Sequence, residues 1–521
     1  MTTISDYQQA LNETQRILGL KSNELGKAQS ELAAKETEIQ LLREKLRLLQ
    51  HRQFGKSAES YVSEDQISLP GYPQITLPSP VASEEADDQA AKEDSASKEG
   101  QASGKKKSGR RPLCEDWPKV ERVIDIPESQ KTCSVHGVAL EKIGEERSQS
   151  IEHVPESFKV LVTIRPKYLC PCCEEKKVSI APVPLKLIPK SLMTPSLLTQ
   201  IVIAKFVDHL PLYRQESIYS RAGLDLCRGT MAEWILKLGE ALIPLTNLLQ
   251  EKLLEGSYLS CDETPLRVLT DQGKRVKNLH YLWIRSRHKE FGQPIYLFEY
   301  ASSRRAKVAK EILEGFKGYL QVDQYVGYDF AEKLEEIIRV GCFAHMRRKF
   351  HEAQKAMTNK SSIPGKVLSL IKKLYKIEEE VASLNESIRT ERRKALAEPL
   401  LLELQTFLQD SQRKVPPQSA TGKAISYTLN SWATLLPIYD DYRIKLDNNL
   451  TENAIRPVAV GRKNYLFCHS AEGAAAAARI YSLISTAKAN GLNLREYFTR
   501  LIDQLPQAKS IEDFEALLPL A

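Results

Sequence analysis

At 521 residues the chain is too long for one ordinary domain, and about 150 residues per domain suggests roughly three units. A hydrophobic fraction of 42% permits real cores, while the lack of any apolar run of about 18 residues argues against a membrane span. The net charge of +7 permits a nucleic-acid partner without demanding one. Nine cysteines at scattered spacings do not form a disulfide framework, and MTTISDYQQALNETQ lacks the basic start and apolar stretch of a signal peptide, so a reducing cytoplasm is the expected compartment.

In chain order, residues 1–55 predict one long helix. Leu11, Leu18, Leu25, Leu32, Ile39 and Leu46 recur every seven residues, the spacing of a coiled-coil seam. The companion row, Thr14, Lys21, Ala28 and Lys35, is polar until Leu42 and Leu49, so strand number is not specified. A single amphipathic helix on its own protein is the bland alternative. Self-association into a homo-oligomer is the expectation, because so polar a stretch has few other ways to cover its leucines. Residues 56–112 read as a disordered linker, rich in Pro, Ser, Ala and acids (SEEADDQAAKEDSASKEG). It ends in GKKKSGRRP, where Lys105, Lys106, Lys107, Arg110 and Arg111 form either a solvated tail or a contact to the DNA backbone.

Residues 113–190 look like short strands and turns. They contain Cys133-x-x-His136 and, after 33 intervening residues, Cys170-x-x-Cys173. Two pairs, each spaced by two residues, match a tetrahedral zinc site of structural type, with four protein ligands and no open position. The alternative is a buried or redox-prone cysteine cluster. Residues 191–250 look helical, with a break at Ala222-Gly223 and a new start near Arg228-Gly229-Thr230, an arrangement like a helix-turn-helix or an ordinary helical hairpin.

From 251 to 470 the pattern predicts an α/β core. SYLSCD, LHYLWIRS and PIYLFEY read as consecutive strands. They are followed by a helix at RRAKVAKEILEGF, a strand at GYLQVD, a helix at DFAEKLEEI and a strand at RVGCFAH. Residues 346–440 then read as a charged helical insertion, and 471–521 as a helical C-terminal segment. Asp262 and Asp323 are expected at the ends of their strands, where two carboxylates could hold magnesium or manganese. A third acid, Glu452, lies in LDNNLTENAIRPVAVGRKNYLF. Taken alone it could be the capping-box partner of Asn449 and the i+4 mate of Arg456. Arg347, Arg348 and Lys349, with Arg456, Arg462 and Lys463, place cations beside these acids, as either a solvated face or a phosphate-binding one. His345 is read as a packed residue, not a metal ligand.

The stretches LSCDETPLRVL, LQVDQYVGYD, CFAHMRRKF and LDNNLTENAIRPVAVGRKNYLF, with HLPLYRQ and RQFGKSAE, together resemble the large transposase of the insertion sequence 66 family. The resemblance spans essentially the whole chain outside the linker. It implies a multidomain α+β protein: coiled coil, zinc-ribbon-like module, helix-turn-helix-like segment, and an RNase H-like DDE core. It implies Asp262, Asp323 and Glu452 as the catalytic acids, with two magnesium or manganese ions. It also implies binding of double-stranded DNA at element ends and target, cleavage and strand transfer, and small accessory proteins of the same element. His136 stands where a Cys is common in the family, and Gln324 where a Gly is common. Two rivals remain open at this stage: a DNA-binding regulator with a dead core, and an RNase H-fold nuclease or resolvase without strand transfer.

Overall fold

A computed structural model describes residues 4–54, 157–169, 178–357 and 362–520. They belong to one of two compact units, Met1–Tyr72 with Ser157–Ala521; the other unit, Pro73–Glu156, lies outside the described residues. So do the basic run of 105–111 and all four expected zinc ligands, Cys133, His136, Cys170 and Cys173.

Helix α1 (Ile4–Phe54) is continuous, as the heptads predict. Its row Leu18, Leu25, Leu32, Ile39 and Leu46 is exposed, so the described residues do not cover the seam. Strands β1 (Lys167–Leu169) and β2 (Val178–Ile180) pair antiparallel and flank the segment 170–177.

Four helices follow: α2 (Pro195–Phe206), α3 (Leu212–Arg221), α4 (Arg228–Ala241) and α5 (Ile243–Leu254). The Thr194 hydroxyl accepts from the Leu197 amide and Pro195 occupies the first turn, which together start α2. Glu216 on α3 accepts from the Arg228 amide, so one helix caps the next. Met231, Trp234, Ile235 and Leu238 of α4 are buried, and a Cβ at Gly239 would come within 2.3 Å of Ala476, so α4 packs closely on the C-terminal region. Its outward residues, Arg228, Glu233, Lys237 and Glu240, mix both signs of charge.

The central sheet uses β3 (Tyr258–Leu266), β6 (His280–Arg287), β7 (Ile295–Ala301), β8 (Gly318–Gln321) and β9 (Ile337–Val340), in the order β7-β6-β3-β8-β9. The first three form an antiparallel meander, and β8 and β9 run parallel to β3. This order is consistent with an RNase H-like DDE core. A small second sheet joins β4 (Val268–Asp271), β5 (Lys274–Arg275) and β10 (Cys468–Ser470), none of which the sequence reading anticipated. Helix α6 (Ala306–Ile312) connects β7 to β8.

Several element ends differ from expectation. Asp262 does not end its strand: β3 runs on to Leu266, because β6 pairs with it from Ser260 through Leu266. The stretch at 326–333 is a 3-10 helix rather than an α-helix, since Ile337 is already committed to β9. RVGCFAH is not one strand. The ladder with β8 ends at Val340, and Phe343 opens α7 (Phe343–Lys355), so His345 to Lys349 lie on a helix.

The insertion contains α8 (Ile363–Ala382), α9 (Glu386–Gln412), α10 (Ala420–Asn430) and α11 (Trp432–Leu435). Its buried face, including Val367, Ile371, Leu374, Leu404 and Leu408, forms a second core around Phe343 and Phe350. The chain then returns to α12 (Asn449–Tyr465), and α13 (Ala471–Ala489), α14 (Leu494–Gln504) and α15 (Ile511–Ala516) complete the fold. Buried residues from α2, α4, α5, the sheet, α12, α13 and α14 share one apolar cluster.

Arg393 fixes the return segment. Its guanidinium is fully buried and donates to Glu378 Oε1 (2.8 Å) and to the carbonyls of Ile438 (2.6 Å), Asp441 (3.0 Å) and Ile444 (2.9 Å). Replacing it would strand a half-buried carboxylate and three carbonyls. Arg393→Ala is expected to cost about 3–5 kcal/mol, measured by urea denaturation. Arg393→Lys is expected to recover only part of this, since an ammonium cannot span the same four acceptors.

Candidate active site

The site is built where two parallel strands part. Strand β3 pairs with β8 only through Ser260, opposite Gln321. Asp262 lies two residues beyond Ser260 and Asp323 two residues beyond Gln321, so the two acids continue the same register. Parallel neighbours are about 4.8 Å apart. The order also reverses here, with antiparallel β6 on one side of β3 and parallel β8 on the other. A crevice beyond the carboxyl ends of strands at such a point is where open α/β sheets bind ligands.

The loop after β8 is held from several sides. Asp323 Oδ1 accepts from the Tyr325 amide at 2.9 Å, an Asx-type turn. Buried Arg339 donates to the Asp323 carbonyl at 3.1 Å while pairing with Asp329 and Glu332. Gln324, where the resemblance suggested Gly, donates to Thr434 Oγ1 at 3.1 Å, so the longer side chain ties the loop to the insertion.

Helix α12 is joined to β3 by its own first residues. Asn448 precedes it, but its side chain does not cap the helix: the amide donates to the Cys261 carbonyl at 3.1 Å and its oxygen accepts from Ser260. Thr451 Oγ1 lies 2.8 Å from Ser260 Oγ and 2.7 Å from Ser286 Oγ. Asp447 accepts from the Asn449 amide (3.1 Å) and from Tyr375 (3.0 Å), so it contributes the turn into the helix. The capping-box reading of Glu452 fails. Its Oε2 accepts from Arg348 at 3.1 Å, and its Oε1 is 3.7 Å from His345 Nε2. Among the described residues its ion pairs run to α7, not to Arg456.

Electrostatics link the three acids. Burial pushes the Asp262 carboxyl up to about 8, helped by the neighbouring charge of Glu263 and by Glu452 and Asp323, against the Glu263 amide that favours the ionised form. Glu263, a fourth acid not singled out in the sequence, is also raised by burial, but Arg304 and Tyr328 hold it in place. Burial lowers the His345 imidazole, with Arg348 and Lys349 adding to this and Glu452 and Asp323 opposing it. Cys342, buried at the start of α7, is pushed up to about 12 by burial and accepts from the Asn448 amide at 3.3 Å. Cys342, His345 and Glu452 place ligand atoms within 4.8 Å of one another. The sequence reading set His345 aside as a packed residue, since Glu452 lies 107 residues further along the chain on another helix.

The expected DNA-facing cations divide. Arg348 and Lys349 are exposed on α7, with Lys349 over the Tyr427 ring, and Arg347 is half-buried beside them. Arg456 and Lys463 are exposed on α12. Arg462 instead donates to Thr264 Oγ1 (2.7 Å) and to the Pro265 carbonyl, which fastens the end of α12 to β3.

A five-stranded mixed sheet with Asp262 and Asp323 in matching register at its switch point, and a helical insertion ahead of Glu452, is consistent with an RNase H-like DDE core. The chain belongs to the IS66 transposase family. The family model described as "Transposase IS66 family" matches residues 190–476, and the "IS66 C-terminal element" matches 482–520. The "zinc-finger binding domain of transposase IS66" matches 130–174, and "Transposase C of IS166 homeodomain" matches 41–122. Two uncharacterised proteins of Sinorhizobium fredii, y4qI and y4jD, are each 32% identical to it, over 77% of this chain and 75% and 80% of theirs. No solved structure matches significantly. The family implies DNA transposition and a divalent metal, and the zinc-finger match suggests zinc. Among the described residues no helix is long and apolar enough to cross a membrane.

A raised carboxyl pKa has a definite sign. Asp262 is ionised in the unfolded chain above about pH 4 and only near pH 8 in the folded one. Its burial therefore weakens the fold progressively as pH rises from about 4 to 8. Without divalent metal, Asp262→Asn is expected to melt above wild type at pH 8.5, with the gap closing at pH 4, as read by scanning calorimetry.

Proposed function

We propose that Asp262, Asp323 and Glu452 are the catalytic acids of a transposase that binds the ends of its element, cleaves DNA and joins the freed 3′-hydroxyl to target DNA. The observation that carries this reading is the register Ser260 to Gln321, which sets Asp262 beside Asp323, with Glu452 on a helix bolted to the same strand. The residues fit a hard divalent ion: the donors are carboxylate oxygens, and Glu452 Oε1 is buried without a hydrogen-bond partner. Magnesium or manganese ions held there supply activation of the attacking oxygen and stabilisation of the leaving one. The chain's own part is positioning. Arg339 and the Asx turn orient Asp323, and Thr451 with Asn448 sets the height of Glu452 against β3. Arg348, Lys349, Arg456 and Lys463 are the phosphate contacts, joined by the basic run from Lys105 to Arg111. The exposed leucines of α1 are the seam of a homo-oligomer, and Cys133, His136, Cys170 and Cys173 hold a structural zinc ion.

The test is a nicking and strand-transfer assay on the native element ends, with magnesium or manganese. Asp262→Asn, Asp323→Asn and Glu452→Gln are each expected to abolish both steps while end binding in a mobility-shift assay is kept. Full activity in any one of them overturns its assignment. Precleaved ends that give no joined product would favour a nuclease. Independently, Leu25→Glu with Leu32→Glu is expected to reduce the oligomer to monomer by light scattering, leaving the melting of the core unchanged.

A further inference from the structure

The acid site has a neighbour of different chemistry. Cys342 Sγ, a His345 ring nitrogen and a Glu452 oxygen lie within 4.8 Å of one another. Arg348 takes Glu452 Oε2, which leaves Oε1 turned toward His345. The 3.7 Å between Oε1 and His345 Nε2 is too long for a hydrogen bond. It is close to the separation of about 3.4 Å for two ligands each about 2.1 Å from one tetrahedral ion. Glu452 Oε1 is buried with no hydrogen-bond partner, an arrangement that costs free energy unless something else satisfies it. The cluster is preorganised from both helices. Cys342 and His345 occupy the start of α7, and the Asn448 amide at the start of α12 donates to Cys342 Sγ.

We propose that Cys342, His345 and Glu452 form a site for a thiolate- and imidazole-preferring divalent metal of the zinc class. The donor set of sulfur, nitrogen and oxygen disfavours magnesium, which takes oxygen ligands. Three protein ligands leave a fourth position open to water or a phosphate oxygen. Loss of the thiol proton on binding gives the thiolate ligand, so uptake releases one proton to solvent. Because Glu452 is shared, zinc at this site withdraws it from the acid set. Zinc and the catalytic ion therefore compete. This consequence rests on the reading of Glu452 as a catalytic acid; the binding site itself does not.

Cobalt(II) is the probe, since its visible and near-ultraviolet spectrum reports tetrahedral geometry and thiolate ligation. Full-length wild type is expected to bind one equivalent more than His345→Ala in parallel titrations of metal-stripped protein. Cys342→Ser keeps an acceptor for the Asn448 amide. It is expected to lose this site's share of the sulfur-to-cobalt band and to bind the equivalent at least tenfold more weakly. The double variant Asp262→Asn/Asp323→Asn is expected to keep the cobalt equivalent while losing magnesium-dependent nicking, which separates failure of this site from failure of the catalytic assignment. In nicking assays, the zinc concentration for half-inhibition is expected to rise at least tenfold in Cys342→Ser. Equal cobalt stoichiometry and identical spectra in wild type, His345→Ala and Cys342→Ser, with all three folded by circular dichroism, would overturn the proposal.

Discussion

The site depends on how short the ladder between β3 and β8 is. Three residue pairs join the strands, and the last is Ser260 with Gln321. Beyond it β3 stays paired to β6 while the other chain turns away. The gap that opens is lined on both sides by residues in matching register, Asp262 and Asp323. A longer ladder would bury this edge in the sheet, and a shorter one would leave the acids without a common reference. The clamps on the loop after β8, from Arg339, Gln324 and the Asx turn, serve this divergence.

The third acid is brought to the gap by a different device. Helix α12 does not start with an ordinary side-chain cap; the residues that could cap it face β3 instead. Ser260, Ser286, Asn448 and Thr451 form a buried polar cluster, with His288 Nε2 3.4 Å from Thr451 Oγ1. Such a cluster is costly if any member is lost, and it specifies one height for the helix along the strand. Packing of Ile455 and Val458 alone would tolerate sliding. Two helices meet around Glu452: α12 carries the carboxylate, and α7 with the Cys342 before it carries the cation, the imidazole and the thiol that face it.

Much of this was legible in the sequence. The three core strands after 257 and the long N-terminal helix follow from β-branched and aromatic runs and from the heptad, and the resemblance ordered the acids. What was hidden has physical reasons. Asp262 looked like a strand end because acids usually are, yet pairing with β6 outweighs the local preference. CFAH looked like strand because its apolar residues are continuous with those of β9; the change to helix is set by tertiary packing of Phe343 into the insertion core. The partners of Glu452 were sought on its own helix, at i+4. They lie instead on α7, a relation no local spacing encodes.

The insertion leaves and re-enters the core almost at one point: the Phe343 amide donates to the Leu446 carbonyl at 2.9 Å, and the Gly341 amide to the Thr434 carbonyl at 2.7 Å. With its ends stitched together, the sequence length between Asp323 and Glu452 is decoupled from their distance in space. Loop-closure entropy grows only with the logarithm of length, so extra length in this segment costs little as long as the helices packed on Phe343 and Phe350 are kept. The spacing of acids along the chain is therefore a poor ruler for kinship among such enzymes. The better one is the pair of hydrogen bonds at the neck.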